Sequence, residues 1–222
     1  MGIARGIKAI QEKTAPRETV DYVKAKWLSL KDGDDVTLRF VNELDVNSPN
    51  YDLGRGTAAV VDEHQPPGPE GYKRHALCSM DSQGKCWACE QVEFDKAWRS
   101  KQKFYINVLV DDGKNDPYVA LWSMGVYRND KFAMIKDHFI ENDSISNLTF
   151  RLKRTGTGKD NTTYQFYPKA VDAKPFKWPA VEPFDIEAVL RDVPYAEQSR
   201  FYGFSNSVAP EGELKGSANV EW

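Results

Sequence analysis

The chain has 222 residues, 41% of them hydrophobic and 12% aromatic, which allows one domain with a real core and terminal arms. Its apolar runs fall far short of a bilayer span, and Met1 to Lys13 lacks the apolar stretch of a secretion signal, so no membrane association and a cytoplasmic location are expected. The net charge of −3 argues against a polyanionic partner until its distribution is counted: Lys and Arg outnumber Asp and Glu 6 to 3 over residues 1–26 and 14 to 9 over 98–177, and are outnumbered 3 to 8 over 181–222.

Residues 3–13 read as a short amphipathic helix, with Ile3, Ile7 and Ile10 on one side and Arg5, Lys8 and Lys13 off it. That stripe is too small to bury alone, so the arm should dock on the core or on another subunit. Glu18 to Leu30 is a second helical candidate, with Val20, Val23 and Trp27 along one side and Gly33 beyond it. Val36 to Val41 alternates as a half-buried strand, and Thr57 to Asp62 is a second strand. Gln65-Pro-Pro-Gly-Pro is a loop.

All three cysteines then fall within twelve residues, as His75-Ala-Leu-Cys78, a seven-residue loop, and Cys86-Trp-Ala-Cys89. One imidazole and three thiols suit a tetrahedral zinc site, each two-residue gap forming a tight turn that aims both side chains at one metal. His75, Cys78, Cys86 and Cys89 are therefore the expected ligands of one structural Zn²⁺, with His64 in reserve. Four protein ligands leave no position for a reactive water. The zinc deaminase signature is broken by Leu77 and Lys85, and neither HExxH nor GxSxG occurs, so no enzyme is expected.

A helix is expected from Glu90 to about Ser100, then the strongest strand, Lys103 to Asp111, a turn at Asp112-Gly113, and a partner strand from Tyr118 to Met124. Lys131 to Ile140 reads as a helix, Leu148 to Lys153 as an alternating strand, and Tyr164 to Lys169 as its hairpin return. Five main strands with one helix between the fourth and fifth suggest an OB-like five-stranded barrel, mainly β with some α. The domains are then a basic N-terminal arm and helix at 1–30, an OB-like core at 31–180 with a zinc insertion at about 65–100, and a flexible acidic tail containing aromatics at 181–222.

Cations and aromatics interleave in the middle of the chain, as a sequence-tolerant single-strand binder requires. Lys101, Lys103 and Tyr105 open the strongest strand, Trp122 lies in its partner, and Tyr127 and Arg128 follow. Arg151, Lys153, Arg154 and Lys159 line one hairpin, with Tyr167 and Lys169 on its return; Tyr164 and Phe166 are expected in the core. Gly156-Thr-Gly-Lys159 lacks the spacing of a phosphate loop.

This order of parts resembles that of the T4-type phage single-stranded-DNA-binding (helix-destabilising) proteins. The likeness rests on the histidine-and-three-cysteine set and on Phe104-Tyr-Ile-Asn-Val-Leu-Val after the CxxC segment. It implies an OB-fold carrying a zinc subdomain, an N-terminal arm for self-association, and a C-terminal tail that recruits replication and recombination proteins. It also implies DNA replication, recombination and repair in the cytoplasm of a bacterial host. The histidine-to-cysteine gap, two residues here, is longer in the T4 member, and the tail is less acidic than the family's. The alternative function is a non-catalytic zinc-containing interaction module docking on a host polymerase or nuclease.

Overall fold

The computed structural model describes residues 24–69, 71–157, 161–169, 179–180 and 182–203. The helix expected at 3–13, residues 18–23 of the second candidate helix, Lys159 and residues 204–222 of the tail lie outside them. Among the described residues seven strands form one antiparallel sheet: β1 (Asp35–Phe40), β2 (Ala59–His64), β3 (Ala76–Leu77), β4 (Lys101–Asp111), β5 (Tyr118–Gly125), β6 (Thr149–Thr155) and β7 (Thr163–Pro168). The helices are α1 (Met80–Gln83), α2 (Trp87–Gln91), α3 (Asp130–Asn142), α4 (Ile186–Val189) and α5 (Tyr195–Phe201).

β4 organises the sheet. β5 runs along one edge of it from Lys103↔Gly125 to Val110↔Tyr118. The other edge is shared: β2 takes the first half, with Glu63↔Lys101 to Ala59↔Tyr105, and β1 takes the second, with Phe40↔Val108 to Thr37↔Asp111. β6 then pairs with β1, and β7 with β6. Among the described residues no ladder joins β5 to β7, so the sheet is curled but is not a closed barrel. Residues 26–34 cross that seam, with Leu28 N donating to Leu121 O at 2.9 Å and Gly33 N to Arg154 O at 3.0 Å. The described end of the expected 18–30 helix is thus extended, because pairing with β5 satisfies its backbone groups.

The alternation of β1 places Val36, Leu38 and Phe40 in the core with Phe104, Ile106, Val108 and Val110 of β4 and Phe150, Leu152 and Phe166 of the last hairpin. α3 covers this core with Ile135 and with Phe132, whose ring lies 5.1 Å from Phe104. Asn129 caps α3 by accepting from the Lys131 and Phe132 amides. Buried Glu43, just beyond β1, accepts from the amides of Ile145 and Ser146 and the hydroxyl of Ser144, and so anchors the connection from α3 to β6.

The opposite face of β4 and β5 is covered as well. Tyr105 and Leu121 pack against Ile186, with Phe184, Val189 and Leu190 around them. Asn107 Nδ2 donates to Phe184 O and its Oδ1 accepts from Phe184 N, both at 2.9 Å. Residues 182–203, expected to be part of a flexible tail, are therefore a strap docked on the sheet. The helix expected over 90–100 is instead α2 followed by a 3-10 turn at Lys96–Trp98.

Candidate metal centre and nucleic-acid interface

His64, Cys78, Cys86 and Cys89 offer ligand atoms that all lie within 4.8 Å of one another. Cys78 Sγ and Cys89 Sγ are 3.6 Å apart, and Cys89 Sγ is 3.3 Å from His64 Nε2. Sulfurs bound at about 2.3 Å around a tetrahedral metal stand about 3.8 Å apart, so this spacing fits a metal ion and is far too long for a disulfide. His64 Nδ1 donates to Trp98 O at 2.6 Å, which turns the Nε2 lone pair toward the thiols. Burial opposes ionisation of Cys86, but hydrogen bonds from His64 and from the Cys89 and Ser79 amides outweigh it and bring the thiol down to about 6. Burial pushes the Cys78 and Cys89 thiols up. His64 is raised: burial works against its charge, while Cys86 and the Trp98 carbonyl favour it. The four groups could hold one metal ion.

The histidine in this set is His64, not His75. His75 to Cys78 was expected to be a tight turn, but the segment is extended as β3. In a strand, side chains three apart face opposite ways, so His75 and Cys78 cannot aim at one point. β3 pairs with β2 through His64↔Ala76, and Cys78 N donates to Asp62 O at 2.8 Å, which continues that register. His64 and Cys78 therefore share a face. The second expected turn is present: Cys86 is the N-cap of α2 and Cys89 lies in its first turn.

The docked strap supplies a residue to this site that the spacing of ligands did not signal. Gln198 of α5 is fully buried, and its Oε1 accepts from Trp87 N at 2.9 Å and lies 3.6 Å from Cys86 Sγ. Its Nε2 donates to Ser79 Oγ at 2.7 Å and Val193 O at 2.9 Å. Trp98 and Tyr202, with ring centroids 5.2 Å apart, complete an aromatic wall around the cluster.

The expected nucleic-acid residues divide. Arg151, Lys153, Tyr167 and Lys169 share the outer face of β1, β6 and β7. Strand register orders that face in three rows: Arg39–Thr149–Lys169, Thr37–Arg151–Tyr167 and Asp35–Lys153–Gln165. Arg151 Nε donates to Asp35 Oδ1 at 2.7 Å, its guanidinium lies 5.8 Å from the Tyr167 ring, and Lys169 Nζ donates to Thr37 Oγ1 at 3.0 Å. Asp35 is lowered by its hydrogen bond with Arg151. A cavity of about 270 Å³ opens beside Thr37, Arg39, Thr149 and Lys169. Thr37 and Arg39 meet these rows through the β1–β6 register, Arg39 being only 5% exposed and donating to Thr149 Oγ1.

Other members lie elsewhere. Tyr105 is 2% exposed and its hydroxyl donates to Glu63, so it is a core residue and offers no stacking face. Trp122, 8% exposed, packs in the core, parallel to Phe40. Lys101 and Lys103 stand at the start of β4 beside β2. Tyr127 and Arg128 lie just after β5, the guanidinium 5.0 Å from the exposed ring. Arg154 faces away from the outer rows and pairs with Tyr164, which is exposed, not in the core.

No protein-family model, curated protein or solved structure matches this chain. Its reading therefore rests on the site. Among the described residues, no helix is long and apolar enough to cross a membrane.

Proposed function

We propose that this chain binds single-stranded DNA without catalysing a reaction, on the outer face of β1, β6 and β7. The observation that carries this reading is the ordered array in which Arg151, Lys153 and Lys169 lie around Tyr167, with buried Arg39 behind them and Asp35 and Asp111 as neighbouring acids. Cations on fixed strand positions suit phosphates, and an exposed aromatic face suits a base.

The strand order β5–β4–β1–β6–β7, with α3 between β5 and β6, supports an OB-like fold that lacks its closing ladder. OB-folds bind strands on their second and third strands and on the loop between the fourth and fifth. Here the outer face of β4 and β5 carries residues 184–190, so contact shifts to β1 and the β6–β7 hairpin. We assign Zn²⁺ to the cluster, since three thiolates and an imidazole make a soft tetrahedral set with no position left for reacting water. Its role is then structural. With His64 as ligand the histidine-to-cysteine gap becomes thirteen residues, which brings the spacing closer to the T4-type pattern. That resemblance supplies the setting, coating of exposed strands in phage replication, recombination and repair. It also assigns self-association to the N-terminal arm and recruitment of replication proteins to the far tail.

The test is a fluorescence titration with oligo-dT across a salt series. Three engaged cations, Arg151, Lys153 and Lys169, give a log–log salt slope of about −2 for a single strand. Arg151→Glu combined with Lys153→Glu should abolish binding. No binding at low salt, or equal preference for duplex, rejects the reading.

A further inference from the structure

The proposed strand-binding face ends at β7, the edge of the sheet, and a second cluster lies on the other side of the same hairpin. A cleft of about 210 Å³ opens at the seam between β5 and β6–β7, lined by Trp27, Leu30, Trp122, Lys131, Leu152 and Tyr164. Two of its aromatics are partly exposed to solvent, Trp27 at 41% and Tyr164 at 42%. Lys131 Nζ lies 4.9 Å and the Arg154 guanidinium 5.9 Å from the Tyr164 ring centre.

Both cations are placed for an anion. Lys131 enters from the first turn of α3, and burial lowers its pKa against the opposing pull of Asp130. Arg154 is held by donation from Nη1 to Leu30 O, which fixes its plane, while its Nε is buried without a partner. Asp32 is engaged nearby, accepting from Gly156 N at 2.7 Å.

A small cleft with partly exposed aromatics and two cations selects a ligand that carries a flat ring and an anion together. Its volume admits one ring system and is below that of pockets for larger ligands. We propose that this cleft is a nucleotide subsite: one base of the bound strand stacks on Tyr164 and Trp27, and its phosphate meets Lys131 on the cleft wall, in the field of the neighbouring Arg154 guanidinium. This rests on the single-strand reading and adds where a base leaves the outer face. Tyr167 and Tyr164 stand three residues apart on β7, about 10 Å, so a strand passing over the sheet edge reaches both.

The experiment uses the full chain with two probes, thymidine 5′-monophosphate and a pair of equal-length oligonucleotides, oligo-dT and an abasic counterpart. The mononucleotide should quench tryptophan fluorescence. Tyr164→Ala and Arg154→Met should each weaken the mononucleotide about tenfold. Tyr164→Ala should weaken oligo-dT to a similar degree and leave the abasic strand unchanged. Arg151→Glu with Lys153→Glu should lose both oligonucleotides and keep the mononucleotide. Unchanged oligo-dT affinity in Tyr164→Ala, or equal loss for both oligonucleotides, overturns the subsite while the outer face still stands. If neither oligonucleotide binds the wild type, the functional reading fails, and the mononucleotide alone decides the cleft: quenching supports it, and its absence overturns it. Thermal melts of both variants matching the wild type confirm that only the cleft was altered.

Discussion

Replacing Gln198 with alanine tests whether the strap and the metal loop are one unit. The side chain has no exposed surface, and its amide serves Trp87 N, Ser79 Oγ and Val193 O at 2.7–2.9 Å. Ser79 Oγ also donates to Lys85 O at 2.7 Å, so that hydroxyl keeps one bond after truncation. The Trp87 amide and the Val193 carbonyl lose this partner inside the protein. Losing the Gln198 partner costs each group about 1–2 kcal/mol, and the lost packing adds about 1 kcal/mol, for a total near 3–5 kcal/mol. The cost falls on docking of residues 191–203 and on the loop, because the main core is built from other residues. Amide hydrogen exchange on the metal-loaded protein reads it. The Tyr202 amide, bonded to Gln198 O at 2.9 Å, should exchange roughly a hundred- to several thousandfold faster, while amides of β4 hold their rates. Unchanged exchange at α5 would refute the coupling. A uniform acceleration that includes β4 would show that the strap is part of one global unit.

His64→Ala should abolish stoichiometric metal binding and His75→Ala should leave it intact, as read by metal analysis after dialysis. Metal binding near neutral pH should release between about two and three protons, from the Cys78 and Cys89 thiols and from His64, whose pKa values are all raised, countable by calorimetry in buffers of different ionisation enthalpy. Below about pH 6 the Cys86 thiol is protonated too, so metal affinity should fall more steeply with acid there than above it. Glu43→Ala leaves the amides of Ile145 and Ser146 and the Ser144 hydroxyl without that acceptor, and should cost about 3–5 kcal/mol, seen as a drop of roughly 6–20 °C in Tm.

Local pattern carried far in this chain. Alternation in Val36 to Phe40 and in Leu148 to Leu152 marked β1 and β6 because a half-buried strand imposes a two-residue period. The CxxC pair was legible for a similar reason, since Cys86 at a helix cap and Cys89 in the next turn are fixed by local geometry. Whether Phe104, Ile106 and Val108 or Tyr105, Asn107 and Leu109 face the core had no local answer, because both faces of β4 are covered.

The remaining features depend on which segments meet across the fold. His64 joins Cys78 only through the β2–β3 register, and the HxxC spacing of His75 misled because β3 is extended where a turn was assumed. Tyr105 is buried because Glu63 and Ile186 cover it, whereas Tyr164 stays 42% exposed with only Lys131 and Arg154 beside its ring among the described residues. The same holds for residues 182–203. Their composition reads as a solvated tail, yet Phe184, Ile186 and Gln198 find partners on β4, β5 and the metal loop. Sequence period thus determined where the strands and the thiol pair lie, because those depend on neighbours in the chain. The tertiary structure decided which histidine joins the three thiols, the outer cationic rows and the docking of the strap, because each is a contact between segments whose separation along the chain carries no periodic signal.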